Sequence, residues 1–589
     1  MQSLKLNKQE LDILMRLKHK GFSNQRKISV DSGYSLGTVN KSLKTLYDAN
    51  YIDENHLLTD KALSLFENNK PRRAIILAAG FGMRMVPINM TTPKALLEVK
   101  GEILIERLIR QLHEVGINDI SIVVGFMKES FEYLSDKFGV ELIVNNMYAS
   151  KNNIYSVGLC LDKLSNCYII PCDIWCEINP FNRDELYSWY MISDRLDHNS
   201  NIRVNRKHII ELDNTVHEGM RMIGISYLLA DDSCFVADKM KSMLTDTRFD
   251  DSFWEDALFD SEHRFIYARI VKDSVVKEIN TYEQLRDIDS ESNHLKSEAI
   301  NTIASTFNCN LNDIKEIMVL KKGMTNRSFL FSIKGFKYIM RIPGEGTDQL
   351  INRKQEADVY DAISGLGLCD DPVYINPSNG YKITKYLEGI RACDPYNDND
   401  VMLCMKKLKS FHNMKLKVNH SFDIFSQISF YESLWNGYPS AYTDYNETKS
   451  NVLSLRDIID GMEKICCLTH IDAVPDNFLF YKPEKSLKEN LQLTDWEYSG
   501  MQDPHVDLAM FCIYSLYDKD QCDHLIDVYF DGKCSDLVRG KIYCYISACG
   551  LLWSNWCEYK RHLGVEFGEY SLRQYRYAKE FYRYAVEIL

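Results

Sequence analysis

Apolar positions along the chain fall into three successive patterns. In the first, Gln9-Glu-Leu-Asp-Ile-Leu-Met-Arg-Leu17 repeats at helical spacing and predicts an amphipathic helix. Lys27 to Leu46 reads as helix, turn, helix, with Gly33 at the turn and Val39, Leu43 and Leu46 on one buried face. Asn50-Tyr-Ile-Asp-Glu-Asn-His-Leu-Leu-Thr59 fits a short hairpin before a last helix. The second pattern, from about Arg72 to Asp289, alternates strands with helices, and residues 120–125 and 167–173 are the continuous apolar runs of buried strands. In the third, short apolar strands around Leu468, Phe478 and Leu493 precede helical stretches with rings at near-helical spacing, as in residues 551–559. Asn68-Asn-Lys-Pro71 breaks the chain before the second pattern, the polar stretch 287–294 reads as a linker, and a helical lead-in starts at Lys296. The expected regions are therefore 1–70, 71–290 and 291–589.

Composition supports several packed cores: 589 residues, 45% hydrophobic and 12% aromatic, give length for roughly four domains. No basic start with an apolar segment behind it, and no apolar run long enough to cross a bilayer, leads to the expectation of a cytoplasmic chain without membrane insertion. The 17 cysteines include no Cys-x-x-Cys pair, and Cys172, Cys176, Cys466 and Cys467 read as strand-end packing, so reduced thiols are expected. The net charge of −13 argues against wholesale binding to nucleic acid. Residues 1–70 nevertheless hold eleven Lys and Arg against eight Asp and Glu, a net +3 that leaves −16 for the rest. This region has the pattern of a winged helix, whose second helix would project Thr38, Asn40, Lys41 and Lys44 towards DNA. So small a surplus gives weak, salt-sensitive contact. A structural or dimerising role fits the same residues, and a homo-oligomer stays open.

The most specific chemistry lies in Leu468-Thr-His-Ile-Asp472-Ala-Val-Pro-Asp-Asn477, followed by Leu493-Thr-Asp495-Trp496-Glu497. Asp472 could take the proton of a substrate hydroxyl, while Asn477 and Asp495 offer hard oxygen ligands for Mg²⁺. A polar turn would explain any one of these residues, but not both pieces in order. Upstream, Lys322-Gly323-Met324-Thr325-Asn326 could cover phosphates, Arg341 lies in the apolar stretch 338–344, and Glu356 follows at helical distance. This set resembles the choline kinase and aminoglycoside phosphotransferase group of kinase-like enzymes, over about half the chain. The resemblance implies a two-lobed kinase-like fold with ATP as donor, Asp472 as base, Asn477 and Asp495 on the metal, and Gly323, Thr325, Asn326, Arg341 and Glu356 around the nucleotide. Arg341 stands where lysine is usual, and its planar guanidinium would grip phosphates bidentately. A quaternary ammonium must be met by ring faces and carboxylates. Tyr431, Trp435, Trp496, Glu497, Trp553 and Trp556 are candidates, although such aromatic stripes also simply fill helical cores. Together they favour an amino-alcohol over a sugar or a polycationic antibiotic.

Residues 73–84 run an apolar strand through Leu77, Ala78 and Ala79 into a turn with Gly80, Gly82 and Arg84, and Thr92-Pro93-Lys94 follows. Glycines let backbone amides approach phosphate oxygens, and Arg84 and Lys94 add charge there. The pattern resembles nucleotidyltransferases that activate sugar phosphates and choline phosphate, which implies a Rossmann-like α/β domain. Asp173 ends its strand, where open sheets place ligands, and matches the family's Mg²⁺ aspartate. A second carboxylate is expected at position 280, where this chain has asparagine, so either Glu278 or the amide oxygen of Asn280 would take that duty. Asn153, Tyr155 and Ser156 fall in a stretch similar to the signature of bacterial choline-phosphate cytidylyltransferases. Trp254 is either a cage ring or core. Around Ile202 the family has another ring and this chain has none, which leaves phosphoethanolamine open.

The two resemblances imply reactions in series: choline to phosphocholine with ATP, then phosphocholine and CTP to CDP-choline and pyrophosphate, with Lys94 and Arg84 screening charge. The same reactions on ethanolamine or a sugar are alternatives. So is a transcriptional regulator that senses choline metabolites, against which the carboxylates in catalytic order weigh. The whole reads as an α/β multidomain chain: winged helix, Rossmann-like nucleotidyltransferase, then a two-lobed protein-kinase-like fold acting on small molecules.

Overall fold

The structure, a computed structural model, describes residues 6–82, 85, 87–88, 92–198, 200–213, 215, 218–259, 265–320, 326–344, 351–369, 371–482, 489–562, 565 and 567–589. It divides into two compact units, residues 1–301 with 317–319 and residues 302–316 with 320–589. Among the described residues no helix is long and apolar enough to cross a membrane.

The first unit opens with α1 (Lys8–Lys20), where Asn7 and Glu10 cap each other's backbone amides. Helix α2 (Gln25–Ser32) ends at Gly33 with φ 72°, a left-handed position that glycine takes without steric cost. Helix α3 (Leu36–Asp48) buries Val39, Leu43 and Leu46, and an antiparallel bridge from Ile52 to Leu58 precedes α4 (Asp60–Asn69). These helices are not a loose tail. Leu186 belongs to their apolar core, Lys18 pairs with Asp184 at 2.6 Å, and the Tyr187 hydroxyl donates to Asp12 at 2.8 Å.

The following sheet contains β1 (Arg73–Ala78), β2 (Asp119–Val124), β3 (Glu141–Val144), β4 (Cys167–Pro171), β5 (Trp189–Asp197), β6 (Gly219–Leu228) and β7 (Tyr267–Val271) in the order β7-β5-β6-β4-β1-β2-β3. Strand β1 is parallel to both β2 and β4. Its alternate residues enter different cores, Ala74, Ile76 and Ala78 on one face and Ile75 on the other, which is why its sequence is apolar without a break. Parallel neighbours end on one edge, and that edge carries the glycine turn and Asp173. The stretch 287–294 is not a free linker: Lys100 N donates to Asp289 at 2.7 Å and Glu98 N to His294 Nε2 at 3.1 Å. Its polar residues bind backbone amides of the same unit.

In the second unit β8 (Asn326–Ile333), β9 (Phe336–Pro343), β10 (Tyr374–Ile375) and β11 (Lys382–Lys385) pair antiparallel in the order β8-β9-β11-β10, and α5 (Arg353–Ile363) follows β9 in the chain. A largely helical part then ends in α6 (Asp536–His562) and α7 (Glu569–Ile588). These two pack so closely at Gly550 that a Cβ there would lie 2.8 Å from Gln574 O and from Tyr577 Cβ. Gly550→Ala tests this contact. Helix propensity alone would gain about 1 kcal/mol, and overpacking costs about 1–3 kcal/mol. The expected result is a thermal midpoint lowered by a few degrees, read by circular dichroism.

Candidate active sites

In the first unit a cavity of about 260 Å³ opens at the β1 edge, lined by Leu77, Ala78, Ala79, Gly80, Gly82, Lys94, Asn153, Ser156 and Asp173, with Asn145, Tyr148 and Lys151 among its other walls. Arg84 lies outside the described residues. Gly82 has φ 64°, and a Cβ there would meet Lys94 at 3.4 Å. Lys94 reaches from the loop beyond and bonds both Asp173 and the Asn280 side-chain oxygen. Pairing of Ile174–Cys176 with Val276–Glu278 brings Asn280 there, and Ile279 N donates to Asp173 O at 2.9 Å. Glu278 bonds Arg221 and the Asn280 amide nitrogen. Ser156 Oγ accepts from Asn145 at 3.0 Å, and Asn153 Oδ1 accepts from Trp254 N at 2.9 Å. Burial pushes Glu255, next to Trp254, up to about 7.

In the second unit Phe478–Tyr481 pairs with Asn490–Leu493 so that Phe478 faces Leu493, which sets Asn477 beside Thr494 and Asp495. Thr494 N donates to Asn477 O at 2.9 Å. Asn477 Nδ2 donates to Asp472 O at 2.8 Å and to its Oδ2 at 3.0 Å, which leaves Oδ1 as the donor atom for a cation. Ile471 and Asp495 hold φ of 70° and 67°, strained values for side-chain-bearing residues. Desolvation, with Asp495 and Glu497 close by, pushes Asp472 up to about 8. Asp507 fixes this loop, accepting from His470 N at 3.0 Å and Ile471 N at 2.7 Å.

Beside it lies a buried charge cluster. Arg341 Nη1 and Nη2 donate to Glu356 at 2.5 and 2.7 Å. Arg353 reaches Glu356 at 3.1 Å and Glu497 at 3.3 Å, and Lys382 lies 3.3 Å from Glu356. Burial alone would raise Glu356, but Lys382, Arg341 and Arg353 hold it down to about 2. The fork of Arg341, expected on phosphates, is thus occupied by a carboxylate, and its Nε is the donor without a protein partner among the described residues. Gly323 and Thr325 fall outside the described residues, and Asn326 opens β8.

Residues 74–178 match the MobA-like NTP transferase domain family, and residues 317–528 match choline/ethanolamine kinase. A choline-phosphate cytidylyltransferase from Streptococcus pneumoniae is 32% identical over 221 residues, which cover 37% of this chain and 96% of the relative. A 2-aminoethylphosphonate cytidylyltransferase from Lancefieldella rimae is 32% identical over 32% of this chain and 80% of its own length. The solved structure of choline kinase LicA from Streptococcus pneumoniae is 27% identical, spans 49% of this chain and 100% of that one, and has a TM-score of 0.42. The chain is a bifunctional transferase, a member of the choline-phosphate cytidylyltransferase family joined to a choline kinase domain.

The candidate rings of the kinase domain lie in its apolar core, with Trp553 packed against it. Tyr498 and Trp553 meet edge to face with centroids 6.1 Å apart, Trp553 and Trp556 at 5.4 Å, and Trp556 and Phe567 at 5.1 Å. The hydroxyls of Tyr431, Tyr498, Tyr514 and Tyr570 are all shifted upward, chiefly by burial and in smaller part by the Asp472 charge. Trp496 and Trp435 are core in the same way. Trp496 is fully buried against Phe411 and His470, its indole N–H donating to Leu493 O at 2.8 Å, and Trp435 donates to Asn555 O at 3.1 Å and packs on Tyr445. Glu497 faces Arg353 and Arg341. In the cytidylyltransferase domain Trp254 is core, and Tyr155 lies outside the cavity lining, with Lys151 over its ring at 5.5 Å. Tyr148 is the aromatic lining residue there, and sequence reading passed over it, as it did Lys382, Arg353 and Asp507.

Glu356→Gln should cost roughly 3–5 kcal/mol at neutral pH, because it removes the carboxylate shared by three buried cations and leaves Glu497 to answer Arg341 and Arg353. The depressed carboxyl contributes stability above its unfolded value of 4.5, and that contribution is lost as pH falls towards about 2. Thermal unfolding from pH 7 to 3 should therefore decline less steeply in the variant than in the parent.

Proposed function

We propose that the kinase domain phosphorylates choline with ATP and that the cytidylyltransferase domain joins the resulting phosphocholine to CTP, giving CDP-choline and pyrophosphate. The observation that carries this reading is the cavity lined by Phe430, Tyr498 and Glu497, since ring faces beside a carboxylate suit a cation that cannot donate hydrogen bonds. With a cation beside it favouring its ionised form, Asp472 takes the proton of the choline hydroxyl as it attacks, and Asn477 orients that carboxylate. Arg341 and Lys382 bring positive charge towards the ATP phosphates, held in place by Glu356. In the other domain Lys94 and Arg84 screen the approach of two anions, and Asn153 and Ser156 meet the head group.

Both donor sets fit Mg²⁺. Asp472, Asn477 Oδ1 and Asp495 are hard oxygens crowded to the point of raising a carboxyl pKa, and in the first unit the Lys94 ammonium already stands as a cation between Asp173 and Asn280. Bound there, the metal would neutralise phosphate charge. A second reading, a primary amine such as ethanolamine or 2-aminoethylphosphonate, has one observation in its favour: Tyr148 is the aromatic residue among the described lining of the cytidylyltransferase cavity, a thin cage for a trimethylammonium.

Regions 1–70, 71–290 and 291–589 serve as winged helix, cytidylyltransferase and kinase in this proposal, acting in the cytoplasm. A DNA contact or a dimer through the first region follows only if its exposed Asn40, Lys41 and Lys44 engage a partner. Labelled choline supplied with ATP, CTP and Mg²⁺ tests the scheme. Asp472→Asn should abolish phosphocholine, while Asp173→Asn should let phosphocholine accumulate and abolish CDP-choline. Unchanged product patterns in either variant would sink the assignment of that site, and faster turnover of ethanolamine would favour the second reading.

A further inference from the structure

At the edge of the cytidylyltransferase cavity Lys94 joins one carboxylate, Asp173, and one amide, Asn280, where two carboxylates would be the obvious arrangement for a dication, and a second carboxylate, Glu278, lies two residues before Asn280. We infer that Glu278 is a positioning residue rather than a cation ligand: it holds the Asn280 side chain so that its oxygen, never its nitrogen, faces the Asp173 site. The inference rests on the reading of this cavity as the Mg²⁺-nucleotide site.

The backbone leaves Asn280 little freedom. The strand pairing next to Asp173 fixes residues 276–278, and the Asn280 amide N–H donates to Gln284 Oε1 at 2.6 Å. Its side chain lies between two partners of opposite chemistry. Lys94, which also bonds Asp173, has only donors, so it accepts nothing but the Asn280 oxygen. Glu278 has only acceptors, so it takes the Asn280 nitrogen. An asparagine amide is nearly symmetric in shape, and its direction is set by its neighbours. Here both neighbours dictate the same one. Were a dication held by Asp173 and Asn280 in place of the ammonium, Lys94 would no longer orient the amide, and Glu278 would be left to do so.

Arg221 completes the device. It bonds the other Glu278 oxygen, with Asp273 at 4.0 Å from the same guanidinium. A carboxylate held between a guanidinium and an amide N–H has both oxygens engaged. It is anchored away from the cation and cannot flip its polarity. Glutamine at 278 would behave differently. The guanidinium, as the charged donor, would claim the glutamine oxygen, and the glutamine NH₂ would then face Asn280 and turn its oxygen away from the site.

Mn²⁺ titration of the full-length chain, with free Mn²⁺ read by electron paramagnetic resonance and no nucleotide present, tests this. The site is first identified as the binding class lost in Asp173→Asn. Glu278→Gln should weaken that class about tenfold or more, the usual effect of removing a partner that orients a ligand. In an Asn280→Asp background the orienting role has no object, because both carboxylate oxygens can bind. There Glu278→Gln should cost several-fold less. Equal losses in the two backgrounds would mean that Glu278 binds the cation itself, and no loss in the parent would mean that it does not act on the site. Either result overturns the inference while the Asp173 assignment stands. If Asp173→Asn removes no binding class, the reading of the cavity falls, and this inference falls with it. Thermal unfolding of each variant confirms that the fold is retained.

Discussion

Carboxylates crowded against one another are the constraint on which the kinase domain is built. Burial, with Asp495 and Glu497 close by, drives Asp472 far above the ordinary range of an aspartate. Such an arrangement is unfavourable unless neighbours answer it. Glu497 is answered by Arg353 and Arg341, which share Glu356 with Lys382. Asp472 accepts from the amide of Asn477, and the loop that carries it is held by Asp507 through two backbone amides. Negative charge thus gathers at Asp472 and Asp495, while the guanidinium and ammonium groups gather about Glu356 and Glu497.

The cytidylyltransferase domain handles the same problem with fewer charges. Its carboxylate at the end of a parallel strand has a lysine partner built in, and the second oxygen donor is neutral. An amide in place of a carboxylate lowers the repulsion around Asp173. That difference follows from sheet geometry: parallel strands deliver Asp173 and the glycine turn to one edge, whereas residues 278–280 arrive through a separate two-stranded pairing.

Much of this was legible from the chain because the relevant residues sit at the ends of strongly apolar runs. Asp173, Asp472, Asn477 and Asp495 stand at strand ends or just beyond them, and the loop after the glycine turn brings Lys94 to Asp173. What stayed hidden depends on register and packing. Lys382 faces Arg341 only because β9 and β11 pair in that register, and Tyr148 reaches the cavity because residue 125 is glycine, where a Cβ would lie 2.8 Å from the Tyr148 Cβ. Trp435, Trp496, Trp553 and Trp556 were read as substrate rings from helical and local spacing, and the structure packs them in or against the apolar core. Periodicity reports that a ring is buried, but not whether the cavity or the core buries it.

The N-terminal helices interlock with the cytidylyltransferase domain through Leu186, the Lys18–Asp184 pair and the Asp12–Tyr187 hydrogen bond. Severing the chain at Pro71 would strip the cover from Leu186 and leave Asp184 without its ammonium. Gene rearrangement or limited proteolysis would thus meet a natural seam on the far side of the transferase rather than in front of it, and residues 6–69 would travel with their neighbour as a single inherited cassette.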